Sequence, residues 1–266
     1  MPAPMTAQQK AAVSDFVKVA GIDRTTAARL LRGNAWNVQQ TINAYYGNSP
    51  QKTTLSKLFD QYCDDPSSPD TIGMDGMMRY LGDLKVSVES IGLFVVSEIV
   101  KSPSMGEMKR EKFIEGWQEL GADTISKQQS LAKSIQSQLP KDPAVFKRVY
   151  RHTFSLGINS ERARTIDLEM AIEFWKVLFS SQGWRWASKT TDWLALWQEY
   201  LLSNWKKGVN RDMWDQTYQF ALKTMEDERL GFWSEDAAWP GVIDEFVVWS
   251  NEKRGVMQKD PDEMEM

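Results

Sequence analysis

With 266 residues the chain has room for one small and one medium-sized domain, each with a core of its own. Its single cysteine, Cys63, and single histidine, His152, exclude an internal disulfide, a zinc finger, a multi-histidine metal site and a histidine-based catalytic triad. A net charge of -4 and a pI near 5.3 argue against non-specific nucleic-acid binding, which needs clustered Lys and Arg, and favour basic protein partners.

No run approaches the roughly 18 apolar residues of a membrane span, and Met1 to Thr6 lack the basic-then-apolar pattern of a signal peptide, so a location inside the cell is expected. Gln8 to Tyr46 reads as three short helices separated by Gly21-Ile22-Asp23 and by Gly33 to Asn37. Their apolar positions recur at helical spacing: Val13, Phe16 and Val17; Ala27, Leu30 and Leu31; Val38, Ile42 and Tyr45. The predicted domains are 8–47, a polar linker at 48–53 containing Pro50, a larger domain at 54–252 and an acidic, disordered tail at 253–266.

In the larger domain the helical period predicts helices near Thr54 to Cys63, Met74 to Leu84, Glu89 to Lys101, Lys109 to Leu120, Ile125 to Leu139 and Pro143 to Leu156. Further helices are predicted near Asp167 to Phe179, Thr190 to Ser203, Arg211 to Glu228 and Pro240 to Trp249. No segment alternates apolar and polar residues as a half-buried strand does, so the fold class is all-α. Most of the twelve tryptophans fall between Trp175 and Trp239, which implies a dense aromatic core or groove.

Few residues have the setting of a catalyst. Asp167 with Glu169, and Asp244 with Glu245, are paired carboxylates, but neighbours at these spacings do not share a helix face and read as solvated or first-turn charges. Cys63 ends the apolar stripe of Leu55, Leu58, Phe59 and Tyr62, and His152 has no second imidazole to work with; both read as structural. Asp65 to Gly76 has the length of a calcium loop, with Ile72 at its apolar eighth position. Pro69 at the fifth place and Gly76 at the twelfth leave it short of oxygen ligands, so an EF-hand-like helix pair without calcium is expected.

Two features suit recognition. Met74, Met77, Met78, Met105 and Met108, beside Leu93, Val95, Val96 and Val100, fit either ordinary core filling or an apolar groove that admits a partner's chain end. Ala237 to Phe246 holds Pro240 at a helix start, with Asp244 close behind it and small alanines ahead.

At these residues the sequence resembles a known family. Asp70 to Gly76, Glu119-Leu120-Gly121, Asp167 to Ile172, and Ala238-Trp239-Pro240 through Val247 look like hallmark segments of the defective-in-cullin-neddylation proteins. The resemblance runs from about Leu55 to Trp249, the region called the PONY domain in that family, and Gln8 to Gly47 is similar to a ubiquitin-associated (UBA) domain. It implies a scaffold-type ligase without a catalytic residue or cofactor of its own. Such a protein binds a cullin's C-terminal winged-helix region and the conjugating enzyme that carries the cullin's ubiquitin-like modifier.

By that resemblance the cullin is gripped at Asp212, Ala238 and Asp244. The conjugating enzyme's acetylated N-terminal methionine enters a pocket formed by Met74, Met77, Leu93, Val96, Met105, Met108, Leu156, Phe174 and Val177. Several of these are Met where animal relatives carry Ile, Phe or Gln, and the resemblance is to the fungal member of the family. The UBA-like domain would contact ubiquitin, or the modifier itself, through Val19, Ala20, Gly21, Ile22, Leu30 and Leu31. A monomer in the nucleus and cytoplasm is expected, and the alternative function is a ubiquitin-binding adaptor.

Overall fold

The computed structural model describes residues 5–47, 50–158, 160, 162–234 and 238–255. Three helices come first: α1 (Ala7–Ala20), α2 (Arg24–Gly33) and α3 (Val38–Gly47). Thr6 and Gln9 form a reciprocal capping box at the start of α1, and Gly21 ends it in the left-handed conformation that a residue without a Cβ adopts most readily. Asp23 accepts the first backbone N–H groups of α2, and these bonds, with the Thr26 hydroxyl, hold its carboxyl below the usual range. Val13, Phe16, Ala27 and Leu31 bury against one another, with Phe16 edge-on to Tyr45 at 5.7 Å, in a core separate from that of the rest of the chain.

The expected linker is shorter than its composition suggests. Pro50 opens α4 (Pro50–Asp60), so positions 50–53 form a helical turn, while 48 and 49 lie outside the described residues. Proline is favoured at a first helical position because its missing N–H would have no partner there. Arg110 fastens α4 down: its guanidinium bonds Asp60 and Asp70 at 2.7 Å each and lies 4.6 Å over the Phe59 ring.

From there α5 (Met74–Asp83), α6 (Ile91–Ile99), α7 (Arg110–Glu119), α8 (Ile125–Gln138) and α9 (Pro143–Leu156) follow. They are succeeded by α10 (Leu168–Leu178), α11 (Trp193–Tyr200), α12 (Arg211–Glu226) and α13 (Gly241–Arg254). The order and number of the expected helices hold, with two local differences in the C-terminal half. The expected start at Thr190 is delayed to Trp193, because Ser188 and Thr190 bond the Glu228 carboxylate and Asp192 caps the helix. Those hydroxyls push the Glu228 carboxyl down to about 2. After Tyr200 the helix widens into a π-helical turn, Leu201–Trp205. At the other end α13 continues through Lys253 and Arg254, expected in the tail, to a left-handed Gly255; residues 256–266 lie outside the described residues.

Strands, which the sequence did not announce, occur as two ribbons: β1 (Thr71–Ile72) antiparallel to β2 (Met108–Lys109), and β3 (Thr165–Ile166) antiparallel to β4 (Val209–Asn210). Two residues cannot show a period, and their pairing joins loops far apart in sequence. Gly76 lets the first loop close, since a Cβ there would come within 2.0 Å of the Tyr62 carbonyl oxygen. In the same loop Asp64, rather than Asp65, accepts the Gly73 and Gly76 N–H groups at 2.8 and 3.0 Å, and this bonding lowers its pKa. Asp65 holds Ser67.

The tryptophans fill the C-terminal core. Trp214 stacks on Tyr150 at 4.7 Å and on Trp175 at 5.1 Å, joining α12 to α9 and α10. The polar atoms close on themselves: the Tyr150 hydroxyl donates to the Trp214 carbonyl (2.7 Å) and accepts from Trp175 Nε1 (2.9 Å). Trp214 Nε1 donates to the Tyr150 carbonyl (3.0 Å). Tyr150→Phe should therefore lower stability by about 1–3 kcal/mol, because the deletion strands the buried Trp175 indole N–H; urea unfolding followed by tryptophan fluorescence checks this.

Candidate partner-binding sites

The start of α12 sets up the first site. Asn210 caps the helix by accepting from Met213 N at 2.8 Å, and Met213 and Trp214 anchor it in the core, so Asp212 between them and the cap stands in solvent. Its charge complements the helix dipole. In α13, Val242, Ile243, Phe246 and Val247 are buried, which turns Gly241 and Glu245 outward. The two helix starts meet at a cleft of about 280 Å³ lined by Trp205, Lys207, Asp212, Met213, Val242 and Glu245 among others. The Lys207 ammonium lies 5.0 Å from the Trp205 ring centre.

Asp212 is thus in the cleft, but the other two predicted cullin-contact residues line its neighbourhood differently. Ala238 is exposed ahead of Pro240. Asp244 is half-buried and accepts the Trp233 indole N–H at 2.9 Å. The acid that α13 contributes to the cleft is Glu245, whose Oε2 accepts from the Tyr200 hydroxyl at 2.9 Å. Burial, then that carboxylate, raises the Tyr200 pKa and keeps the phenol protonated. Asp244 and Glu245 consequently serve different partners and share no proton. Trp205 closes the π-helical turn and Lys207 follows it, and no helical period in the sequence marks either.

The nine methionine-pocket residues form a mostly closed set. Met77, Leu93, Val96, Met108, Leu156 and Phe174 are core residues, Val177 is half-buried, and only Met74 (55% exposed) and Met105 (37%) reach solvent. The predicted pocket residues thus fall mostly within the larger domain's core, with Met74 and Met105 at its exposed edge. Met74 lies across Gly106, which adopts φ +82°, so close that a Cβ there would meet the Met74 methyl at 2.4 Å. Met105 N donates to the Leu156 carbonyl at 3.2 Å, tying the loop before β2 to the end of α9.

In the UBA-like helices, Val19 (54% exposed), Gly21, Ala20, Ile22 and Leu30 lie at or near the surface. Leu31 does not: it is fully buried between the helices, and its spacing with Leu30 put two adjacent leucines on a face that only one can share.

Cys63 Sγ faces the Phe59 and Pro69 carbonyls, and burial raises its pKa, which disfavours the thiolate. His152 is mostly buried on α9. Burial first, and then the Lys101 charge, pushes its imidazole down to about 4. A separate cleft of about 530 Å³ over α7, walled by Asp70, Arg110, Glu111 and Ile114, contains none of the predicted residues. Among the described residues no group of His, Cys, Asp and Glu could hold a metal ion, and no helix is long and apolar enough to cross a membrane.

The fold and its surfaces describe a helical binding protein with a small three-helix domain ahead of a larger one. Residues 127–249 match the cullin-binding family and residues 10–51 the UBA-like domain family. The chain is 37% identical to defective in cullin neddylation protein 1 of Pyricularia oryzae, over 94% of this chain and 95% of the relative. It is 32% identical to the protein of the same name in Yarrowia lipolytica (87% and 92%), and 33% identical to DCN1-like protein 3 of Xenopus laevis (77% and 65%). The chain belongs to the defective-in-cullin-neddylation family.

Because His152 binds a proton less readily folded than unfolded, its contribution to stability is complete above its unfolded pKa and is lost as pH falls from about 6.5 to about 4. The wild type should lose about 2–3 kcal/mol more than His152→Gln across that window in denaturant titrations at several pH values.

Proposed function

We propose that the protein promotes cullin neddylation as a scaffold: it holds a cullin and the modifier-charged conjugating enzyme on one body while the enzyme's own cysteine transfers the modifier. Family membership and the cullin-binding region at 127–249 support a role in cullin neddylation with a cullin as partner. The observation that carries the scaffold reading is the joint of α12 and α13. It sets Asp212 and Glu245 on a cleft and leaves Ala238 exposed close to its rim, while Asp244 is oriented by Trp233. Basic groups of the cullin's C-terminal winged-helix region would pair with Asp212 and Asp244, and the short Ala238 side chain lets the surfaces close.

The conjugating enzyme's acetylated N-terminal methionine would replace Met74 and Met105 over the apolar set. Methionine suits such a boundary, since its unbranched thioether side chain moves between rotamers at little cost. A free terminal amine would bring a charge into apolar surroundings, whereas an acetylated one brings only an amide. Tethering both partners makes their encounter effectively intramolecular, so the rate rises without a nucleophile supplied by this chain. The exposed edge formed by Val19, Gly21 and Ile22 supports a further contact with ubiquitin or the modifier, which would also serve an adaptor.

A reconstituted cullin-modification time course tests the proposal. Wild type should accelerate transfer, and a folded Asp212→Ala, Ala238→Arg, Asp244→Asn variant, checked by circular dichroism, should lose at least about tenfold of that acceleration. If wild type has no effect with an acetylated conjugating enzyme, the scaffold reading fails and ubiquitin binding by the first domain becomes the leading function.

A further inference from the structure

Two neighbouring residues of opposite charge open α12 and serve different surfaces. Asp212 lines the cleft beside Glu245, whereas Arg211 turns to α9. Arg211 Nη1 donates to the Arg151 carbonyl at 2.8 Å and Nη2 to the Ser155 hydroxyl at 3.2 Å, and the guanidinium carbon lies 4.3 Å from the Phe154 ring centre. These contacts fix the guanidinium without neutralising it, since among the described residues no carboxylate forms an ion pair with it.

The exposed face of α9 continues the charge with Arg148 and Arg151, which at a spacing of three residues are surface neighbours. About half of each side chain is open to solvent (52% and 54%), and Arg151 reaches Asp215 only at 3.4 Å. Lys101 extends the strip past the end of α6. The acids beside it sit deeper: Glu98 is buried and shared by Lys101 and Arg148, and Asp215 is half-buried. Lys101, Arg148, Arg151 and Arg211 against Glu98 and Asp215 leave an outward-facing positive strip on a chain whose net charge is -4. Its three arginines fall within the region that matches the cullin-binding family, and Arg211 makes it continuous with the acidic cleft.

We propose that Arg151 and Arg211, with Arg148 alongside, form a second contact for the cullin: they take an acidic side chain of its C-terminal region while the adjacent cleft takes a basic one. The proposal rests on the reading that the cullin docks at the start of α12. A guanidinium offers its N–H groups in a planar fork that matches a carboxylate, and Arg211 has committed only two of them. Because Phe154 and α9 already hold that fork in place, little freedom is lost when a partner binds it. Opposite charges side by side also discriminate. A partner with basic groups alone is attracted at the cleft and repelled by the strip, whereas one with a basic group beside an acidic one satisfies both.

The sign of the charge effect provides the test. If the strip merely lies near a basic partner, removing positive charge relieves repulsion and tightens binding; if it grips an acid, binding weakens. In calorimetric titrations of the full chain with a cullin, Arg151→Glu should bind about tenfold more weakly than wild type and Arg151→Gln should fall between them. Both should melt as wild type does, since Arg151 is exposed and its side chain reaches only Asp215. Affinity for the conjugating enzyme should not change. Wild-type or tighter cullin binding by the folded variants overturns the proposal, as does an equal loss of affinity for the conjugating enzyme, which would assign the strip to that partner. Asp212→Ala, titrated in parallel, should also weaken cullin binding; if it does not, the underlying reading of the cleft fails instead.

Discussion

The stacked and hydrogen-bonded node of Tyr150, Trp175 and Trp214 is the constraint on which the rest of the larger domain depends. Each stacked pair contributes on the order of 0.5–1.5 kcal/mol beyond its buried area, and the polar atoms of the three residues satisfy one another. Loss of the Tyr150 hydroxyl would strand the Trp175 indole N–H. The node fixes where α9, α10 and α12 cross, and the functional surfaces follow from those helices. His152 and Leu156 lie two and six residues beyond Tyr150 on α9, while Asp212 lies two residues before Trp214 on α12.

Both proposed binding regions are therefore carried by helices locked to one aromatic core. A scaffold needs that property, because proximity accelerates a reaction only when the two partners are held in a restricted orientation. The polar chemistry around the core is tuned for holding groups in place. Cys63 is kept as a thiol by burial, His152 is kept neutral, and Glu245 and Asp244 are each engaged by an aromatic donor. At the rim Met74 lies over Gly106 and Met105 reaches solvent.

Much of this was legible along the chain because helices announce themselves locally. The 3.6-residue period and the prolines Pro143 and Pro240 at helix starts act within a few residues, and the helix order followed from them. Local signals gave out where partners are distant. The ribbon pairing Thr71 with Lys109 and the late start of α11 set by Glu228 each depend on residues tens of positions away. Leu31 and Leu30 illustrate the same limit on a smaller scale, since only packing decides which of two neighbouring leucines a core takes.

The sequence by itself determined the all-helical class, the two-part order, the scarcity of catalytic groups and, through its hallmark segments, the family. These are properties of composition, short-range periodicity and motif order. The tertiary structure alone decided that Glu245 rather than Asp244 enters the cleft beside Asp212, and that Met74 and Met105 are the exposed members of the methionine set. Which side chains meet is set by helix crossings, and those are fixed by long-range packing that no local pattern encodes.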